Sequence, residues 1–181
     1  MFLQNAISKR VDDKNPVKVA LIGAGKFGSM FLSQLPTTSG LEVVAIADLE
    51  PENARKACKN VGWDEELISK TKFVDSGIKA IELSEVEVVI ESTGFPSAGI
   101  EHARQAFSNG KHIIMVNVEA DVLAGASLVK EAHSAGVVYS MAYGDQPALT
   151  AEIVDWARTS GFHVSAAGKG TKYLPEYHKS T

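Results

Sequence analysis

Short apolar runs alternate along the chain with longer segments whose apolar residues recur every three or four positions. The runs are rich in β-branched residues, which is typical of strands buried on both faces of a sheet. They lie at residues 17–22, 42–47, 86–90, 112–116 and 137–141, with a short edge run at 73–74 and a last strand at 162–167.

The segments between the strands predict helices. Pro36 ends the first of them, Pro51 opens the second at a tolerated position, and Asn109-Gly110 ends the helix that begins near Ser97. The apolar positions in residues 61–75 follow neither a helix nor a strand period. Further helices are predicted within residues 1–15, at 76–83, from the end of segment 117–121 to about 135, and at 147–159. The repeated order of strand and helix predicts an α/β fold with a doubly wound parallel sheet.

The first strand runs directly into Gly23-Ala24-Gly25-Lys26-Phe27-Gly28, which has the pattern G-x-G-x-x-G. In this pattern the first glycine permits a tight turn, the second lets the backbone approach a pyrophosphate, and the third lets the helix lie close to the strand. The helix N-terminus then faces the phosphates. The sequence therefore predicts a Rossmann domain whose turn residues bind a dinucleotide.

An acidic residue follows the second strand. Asp48 lies twenty residues after Gly28, where a carboxylate would meet the ribose of adenosine. It would accept a hydrogen bond from the 2′-hydroxyl and repel a 2′-phosphate, which favours NAD over NADP, although Arg55 or Lys56 would offset that preference by reaching a phosphate. The alternative is an ordinary strand-to-helix turn in which Asp48 only begins a loop. The joint spacing of strand, turn, helix and acid favours dinucleotide binding.

Polar residues also follow two later strands. In doubly wound sheets the ligand crevice lies outside the carboxyl ends of the strands, so we expect Ser92, Thr93 and Gly94 to contact the nicotinamide side of the cofactor. Capping of the next helix explains the two hydroxyls equally well. Asn117 and Glu119 are further candidate cofactor contacts. Glu119 and Asp121 are also candidates for binding a metal or orienting the substrate, although a favourable charge at a helix N-terminus is the simpler account of both.

The composition limits the classes of molecule that we expect the protein to bind. The chain has 181 residues, is 45% hydrophobic and carries a formal charge of −4 without any block of lysines or arginines. We therefore expect a small-molecule substrate and further copies of the chain as partners, and neither nucleic acid nor a membrane. Residues 1–10 lack the apolar core of a signal peptide, which with the single cysteine predicts a cytoplasmic protein.

Cysteines and histidines give no sign of a metal site. Cys58 is the only cysteine, which excludes an internal disulfide and a multi-cysteine metal site. The five histidines, His102 among them, do not have the spacing of metal ligands, and we expect most of them at the surface. No G-x-S-x-G nucleophile motif follows a strand.

Three motifs together resemble a known family. The glycine turn, Glu91-Ser92-Thr93-Gly94 and Gly170-Thr171-x-Tyr173 occur in an order similar to that of the nucleotide-binding half of homoserine dehydrogenases. Residues 116–121, 142–149 and 168–175 more closely resemble a related group that includes enzymes similar to 1-deoxy-D-xylulose 5-phosphate reductoisomerase, often with a C-terminal SAF domain. Two positions depart from the homoserine enzymes. Val118 stands where those enzymes have a cofactor-contacting lysine, and Lys169 stands where they usually have an asparagine before Gly-Thr.

The resemblance implies an oxidoreductase. It implies hydride transfer between NAD or NADP and a carbonyl or hydroxyl carbon of a small polar, sugar-derived substrate; the related reductoisomerases use NADPH. It divides the chain into an NAD(P)-binding domain at residues 1–168 and the start of a substrate or dimerisation domain at 169–181. We expect a truncated protein that binds cofactor without turnover.

Two lysines are candidate catalytic residues. Lys169 and Lys172 follow the last predicted strand, where a cation would stabilise a developing alkoxide. Solvated loop lysines are the alternative. A non-catalytic module that senses NAD(P) is an alternative function, and a site for another adenine nucleotide is a third.

Overall fold

The structure, a computed structural model, describes residues 3–144 and 146–168. The chain divides into two compact units, Met1–Met141 and Ala142–Thr181. The candidate catalytic residues Lys169 and Lys172 lie outside the described residues, so their role stays a prediction.

The first unit is built on a six-stranded sheet in the order β3-β2-β1-β4-β5-β6. Every neighbouring pair in it is parallel. The order reverses between β1 and β4, which places the ligand crevice of such sheets at the carboxyl ends of these two strands. The predicted doubly wound α/β Rossmann fold is confirmed. The strands are β1 Val17–Ile22, β2 Leu41–Ala47, β3 Lys72–Val74, β4 Val88–Glu91, β5 His112–Met115 and β6 Tyr139–Met141.

Helices cover both faces of the sheet. Side chains alternate between faces along β1, so Val19 and Leu21 join one core cluster and Ala20 and Ile22 the other. Helices α2, α3 and α4 pack on the first cluster and α5, α6 and α7 on the second. The first-unit helices are α1 Leu3–Asp12, α2 Lys26–Gln34, α3 Pro51–Asn60, α4 Glu65–Lys70, α5 Gly77–Ile81, α6 Pro96–Ser108 and α7 Val118–Ala135. Burial in the first cluster raises the pKa of the Cys58 thiol to about 11.

Two elements differ from the sequence prediction. Helix α4 forms within the stretch that showed no period, where the Asp64 side chain accepts a hydrogen bond from the Leu67 N–H at 2.8 Å and caps the helix. The second unit contains α8 Gln146–Thr159, but residues 162–167 form no strand. Within residues 3–144 and 146–168, no helix has the length and apolar character needed to cross a bilayer.

Candidate active site

The first and third glycines of the turn are required by close backbone packing. Gly23 has a φ of +93°, and a Cβ there would lie 2.9 Å from the carbonyl oxygen of Ser92. A Cβ on Gly28 would overlap the carbonyl oxygen of Gly23. These two glycines therefore let β1, the start of α2 and the end of β4 meet at one point.

The second glycine has a different environment. Gly25 is the N-cap of α2, has a φ of −69°, and would place a Cβ in open space. The first helical hydrogen bond runs from the Ser29 N–H to the Gly25 carbonyl at 2.9 Å, and no side chain caps the helix. The N–H groups of residues 25–28 thus have no helical partners and lie at the positive end of the helix dipole. This arrangement fits a pyrophosphate.

The acid after β2 is tied to the turn. One carboxylate oxygen of Asp48 accepts a hydrogen bond from the Ala24 N–H at 3.0 Å, and the other accepts from the Glu50 N–H at 3.1 Å. A carboxylate offers about four acceptor positions, so acceptor capacity remains for a ribose hydroxyl. Asp48 therefore holds the turn and still lines the cleft described below.

Ser92 joins the end of β4 to the turn. Its hydroxyl lies 2.9 Å from the Ile22 carbonyl oxygen and 2.8 Å from that of Gly23, and its N–H donates to Ile22. The proposed capping role is not observed, because the N-cap of α6 is Phe95 and no side chain caps that helix. The hydroxyl instead fixes the strand to the glycine turn.

A polar cluster of Glu91, Thr93, His102 and Asn117 extends from the wall of the cleft into the buried interior. The Thr93 hydroxyl donates to Glu91 Oε1 at 2.5 Å, and His102 Nδ1 lies 3.3 Å from the same oxygen. Asn117 is buried and caps α7, since its Oδ1 accepts from the Ala120 N–H at 3.1 Å, while its Nδ2 donates to the Phe95 carbonyl at 2.9 Å. These bonds fix the β4–α6 loop against the start of α7.

A cleft of about 610 Å³ opens at the carboxyl ends of the strands. This volume is typical of small-molecule sites, roughly 300–1,000 Å³. Of the predicted site residues the cleft brings together Gly23, Gly25, Asp48, Ser92 and Thr93. The others, which do not line it, are Ala24, Lys26, Phe27, Gly28, Gly94, Asn117 and Glu119. Another cavity, of about 480 Å³, lies beside the start of β2, at the end of the sheet away from the turn.

Several cleft residues were not predicted. Leu49 follows β2, Asp75, Ser76 and Gly77 follow β3, and His102 comes from α6. His102 is one histidine that does not lie at the surface, since its side chain is only 12% exposed. Its position on the same helix face as Gly99 and Ala106 was the available signal, since residues three and four positions apart share a face and both of these are buried.

Family comparison gives the decisive match for this unit. Residues 17–143 match the model of an oxidoreductase family described by its NAD-binding Rossmann fold. The chain belongs to this family. Residues 144–181 match a second model, the catalytic domain of oxidoreductase DRL. No curated protein matches the chain significantly.

Solved structures of other oxidoreductases share the fold. Homoserine dehydrogenase from Thiobacillus denitrificans is 22% identical, with a TM-score of 0.58 over 70% of this chain and 29% of that one. Myo-inositol dehydrogenase from Lactobacillus casei, in complex with NAD(H) and myo-inositol, is 24% identical, with a TM-score of 0.60 over 78% of this chain and 42% of that one.

A third structure carries the other nicotinamide cofactor. A variant of a 3-ketoreductase from Actinomadura kijaniata, in complex with TDP-benzene and NADP, is 19% identical, with a TM-score of 0.60 over 79% of this chain and 45% of that one. The chain thus spans less than half the length of these three proteins. The family fold binds NAD, and the neighbours include complexes with either nicotinamide cofactor.

Proposed function

We propose that this chain is the dinucleotide-binding part of an oxidoreductase that transfers hydride to or from a carbonyl or hydroxyl carbon. The observation that carries the proposal is the uncapped N-terminus of α2, where the N–H groups of residues 25–28 have no helical partners and Gly25 lines the cleft. Family membership supports it. The bound nicotinamide supplies or accepts the hydride, while the chain binds the phosphates and orients the ribose.

A more specific proposal, on the reaction type and the substrate, is supported by the sequence resemblance and by the match of residues 144–181 to the DRL catalytic domain. We propose a reductoisomerase-like enzyme with a small polar, sugar-derived substrate, and Lys169 and Lys172 as the cations near the reacting carbon. A substrate and dimerisation domain beginning near residue 169, and a SAF domain after it, belong to the same proposal. Assembly as a homo-oligomer in the cytoplasm is part of it too.

The proposal includes a preference for NAD that depends on Asp48. In Asp48→Asn the single side-chain oxygen still accepts the Ala24 N–H, the hydrogen bond from the Glu50 N–H is lost, and the negative charge beside the ribose is gone. We expect the ratio of NADPH to NADH affinity to rise about tenfold, because the repulsion of a 2′-phosphate is removed. Titration with NADH and NADPH, followed by dihydronicotinamide fluorescence, measures both affinities.

Asp75→Asn is the matched control. Asp75 also lines the cleft, but its carboxylate lies 2.7 Å from the Lys79 ammonium, which already compensates its charge. We expect the cofactor ratio of this variant to change less than twofold, roughly the effect of an exposed ion pair. An equal change of the NADPH to NADH affinity ratio in the two variants would mean that Asp48 acts only through the general charge of the cleft. That result would remove its assignment to the ribose.

A further inference from the structure

The position of His102 in the cleft wall is fixed from two sides. On one side Nδ1 lies 3.3 Å from Glu91 Oε1. On the other side the edge of the ring that carries Nε2 lies over Gly77, where a Cβ would overlap the ring. Both His102 and Gly77 line the cleft. The absence of a side chain at residue 77 therefore gives the imidazole its place in the wall.

Glu91 sets the tautomer of this ring. The Glu91 side chain is fully buried, and its Oε1 accepts hydrogen bonds from the hydroxyl of Thr93 at 2.5 Å and from its N–H at 3.3 Å. Because this oxygen acts as an acceptor, Nδ1 of His102 is the donor in the contact between them. A neutral imidazole that donates from Nδ1 carries a lone pair on Nε2. The cleft wall therefore holds a hydrogen-bond acceptor beside Gly77.

This wall belongs to the adenosine half of the cleft. Asp48 and Leu49 follow β2, and Asp75, Ser76 and Gly77 follow β3, so the cleft extends from the glycine turn toward the β2–β3 edge of the sheet. In doubly wound folds the acid after the second strand binds the ribose of adenosine, so the base lies beyond it on this side. The His102 ring and Gly77 are on that side.

We infer that His102 is a specificity-determining residue for the adenine base, with Nε2 accepting a hydrogen bond from the exocyclic amino group. Glu91 is a positioning residue that holds the imidazole in the tautomer this bond requires. Hypoxanthine carries a carbonyl in place of the amino group. Its oxygen would therefore face His102 Nε2, and two hydrogen-bond acceptors would repel each other. The inference rests on the proposed function, since it requires a dinucleotide in the cleft.

The test compares NADH with reduced nicotinamide hypoxanthine dinucleotide, in which the 6-amino group of adenine is replaced by a carbonyl and N1 carries a proton. Dissociation constants are measured by dihydronicotinamide fluorescence for the wild-type chain, His102→Asn and His102→Gln, with thermal unfolding as the folding control. Asparagine places an amide near Nδ1 and leaves the Nε2 position empty, whereas glutamine reaches the Nε2 position with an acceptor oxygen. Glu91→Gln, whose amide offers His102 a donor or an acceptor, tests the positioning role.

We expect wild-type protein to prefer NADH about tenfold, the effect of one hydrogen bond replaced by an unfavourable contact. His102→Asn should bring the preference below about twofold, His102→Gln should retain part of it, and Glu91→Gln should lower it. Equal wild-type affinities, or an undiminished preference in folded His102→Asn, would overturn the inference while leaving dinucleotide binding intact. If folded wild-type protein binds neither compound, the proposed function fails as well.

Discussion

Replacing Gly28 with valine is expected to destabilise the protein by about 3 kcal/mol, at the upper end of the usual cost of overpacking. A Cβ at this position would overlap the Gly23 carbonyl oxygen and come within 3.4 Å of Leu21 Cδ2. The obstacle is main chain, and Gly23 is itself held against Ser92, so no side-chain rotation relieves the overlap. Helix α2 must move away from β1, and the cofactor turn is lost with that movement.

Thermal unfolding measures this effect. A loss of about 3 kcal/mol corresponds to a fall in Tm of roughly 6–12 °C for a domain of this size. The cofactor affinity of Gly28→Val should also fall, since the amides of the turn are displaced. A Gly28→Val protein with the wild-type Tm would show that strand and helix do not approach each other as described.

Gly25→Val is expected to weaken NADH binding about 100-fold while lowering stability by only about 1 kcal/mol, the usual cost of a poorer N-cap residue. No atom lies within 4 Å of the new Cβ, so valine meets no steric obstacle, and the small cost comes from replacing glycine at an N-cap whose ψ is −154°. The isopropyl group would instead occupy the space from which a pyrophosphate reaches the N–H groups of α2. Two charge-assisted hydrogen bonds lost at 1.5–3 kcal/mol each account for about 100-fold or more.

Gly62→Ala is the control, a glycine substitution that is expected to lower stability without affecting NADH binding. Gly62 has a φ of +90° and does not line the cleft, so alanine should lower stability by about 1–2 kcal/mol through backbone strain and leave NADH affinity unchanged. Fluorescence titration and thermal unfolding of both variants separate the two effects. A Gly25→Val protein that loses as much stability as Gly28→Val would contradict the open environment assigned to this residue, and one that binds NADH normally would contradict its role in binding.

The sequence predicted the sheet and the turn because both depend on local signals. Continuous apolar runs mark strands covered on both faces, and the glycine spacing is dictated by backbone contacts at Gly23 and Gly28. The connection of parallel strands by helices then restricts the topology to a few arrangements. The apolar and polar alternation of residues 162–167 was misleading, because a strand also needs a hydrogen-bonded neighbour, which no sequence period supplies.

The polar part of the site depends on contacts between distant segments and could not be predicted in this way. Glu91 ends a strand, and nothing in its neighbours distinguishes a fully buried carboxylate from an exposed one. His102 is mostly covered because Gly77, on a different helix, leaves room for its ring. Ser92 carries the hydroxyl that its position suggested, but that hydroxyl is directed to two carbonyl groups of β1 and the turn.

The central claim is that backbone N–H groups at the start of α2 bind the pyrophosphate of a nicotinamide dinucleotide. The most direct measurement is a titration of ¹⁵N-labelled protein with NADH, followed by two-dimensional amide NMR. The account predicts saturable shifts that are largest for the amides of residues 25–28, with little change at Gly62 and Gly110, which do not line the cleft. Saturable binding that leaves the amides of residues 25–28 unshifted, or the absence of any saturable shift, would contradict it.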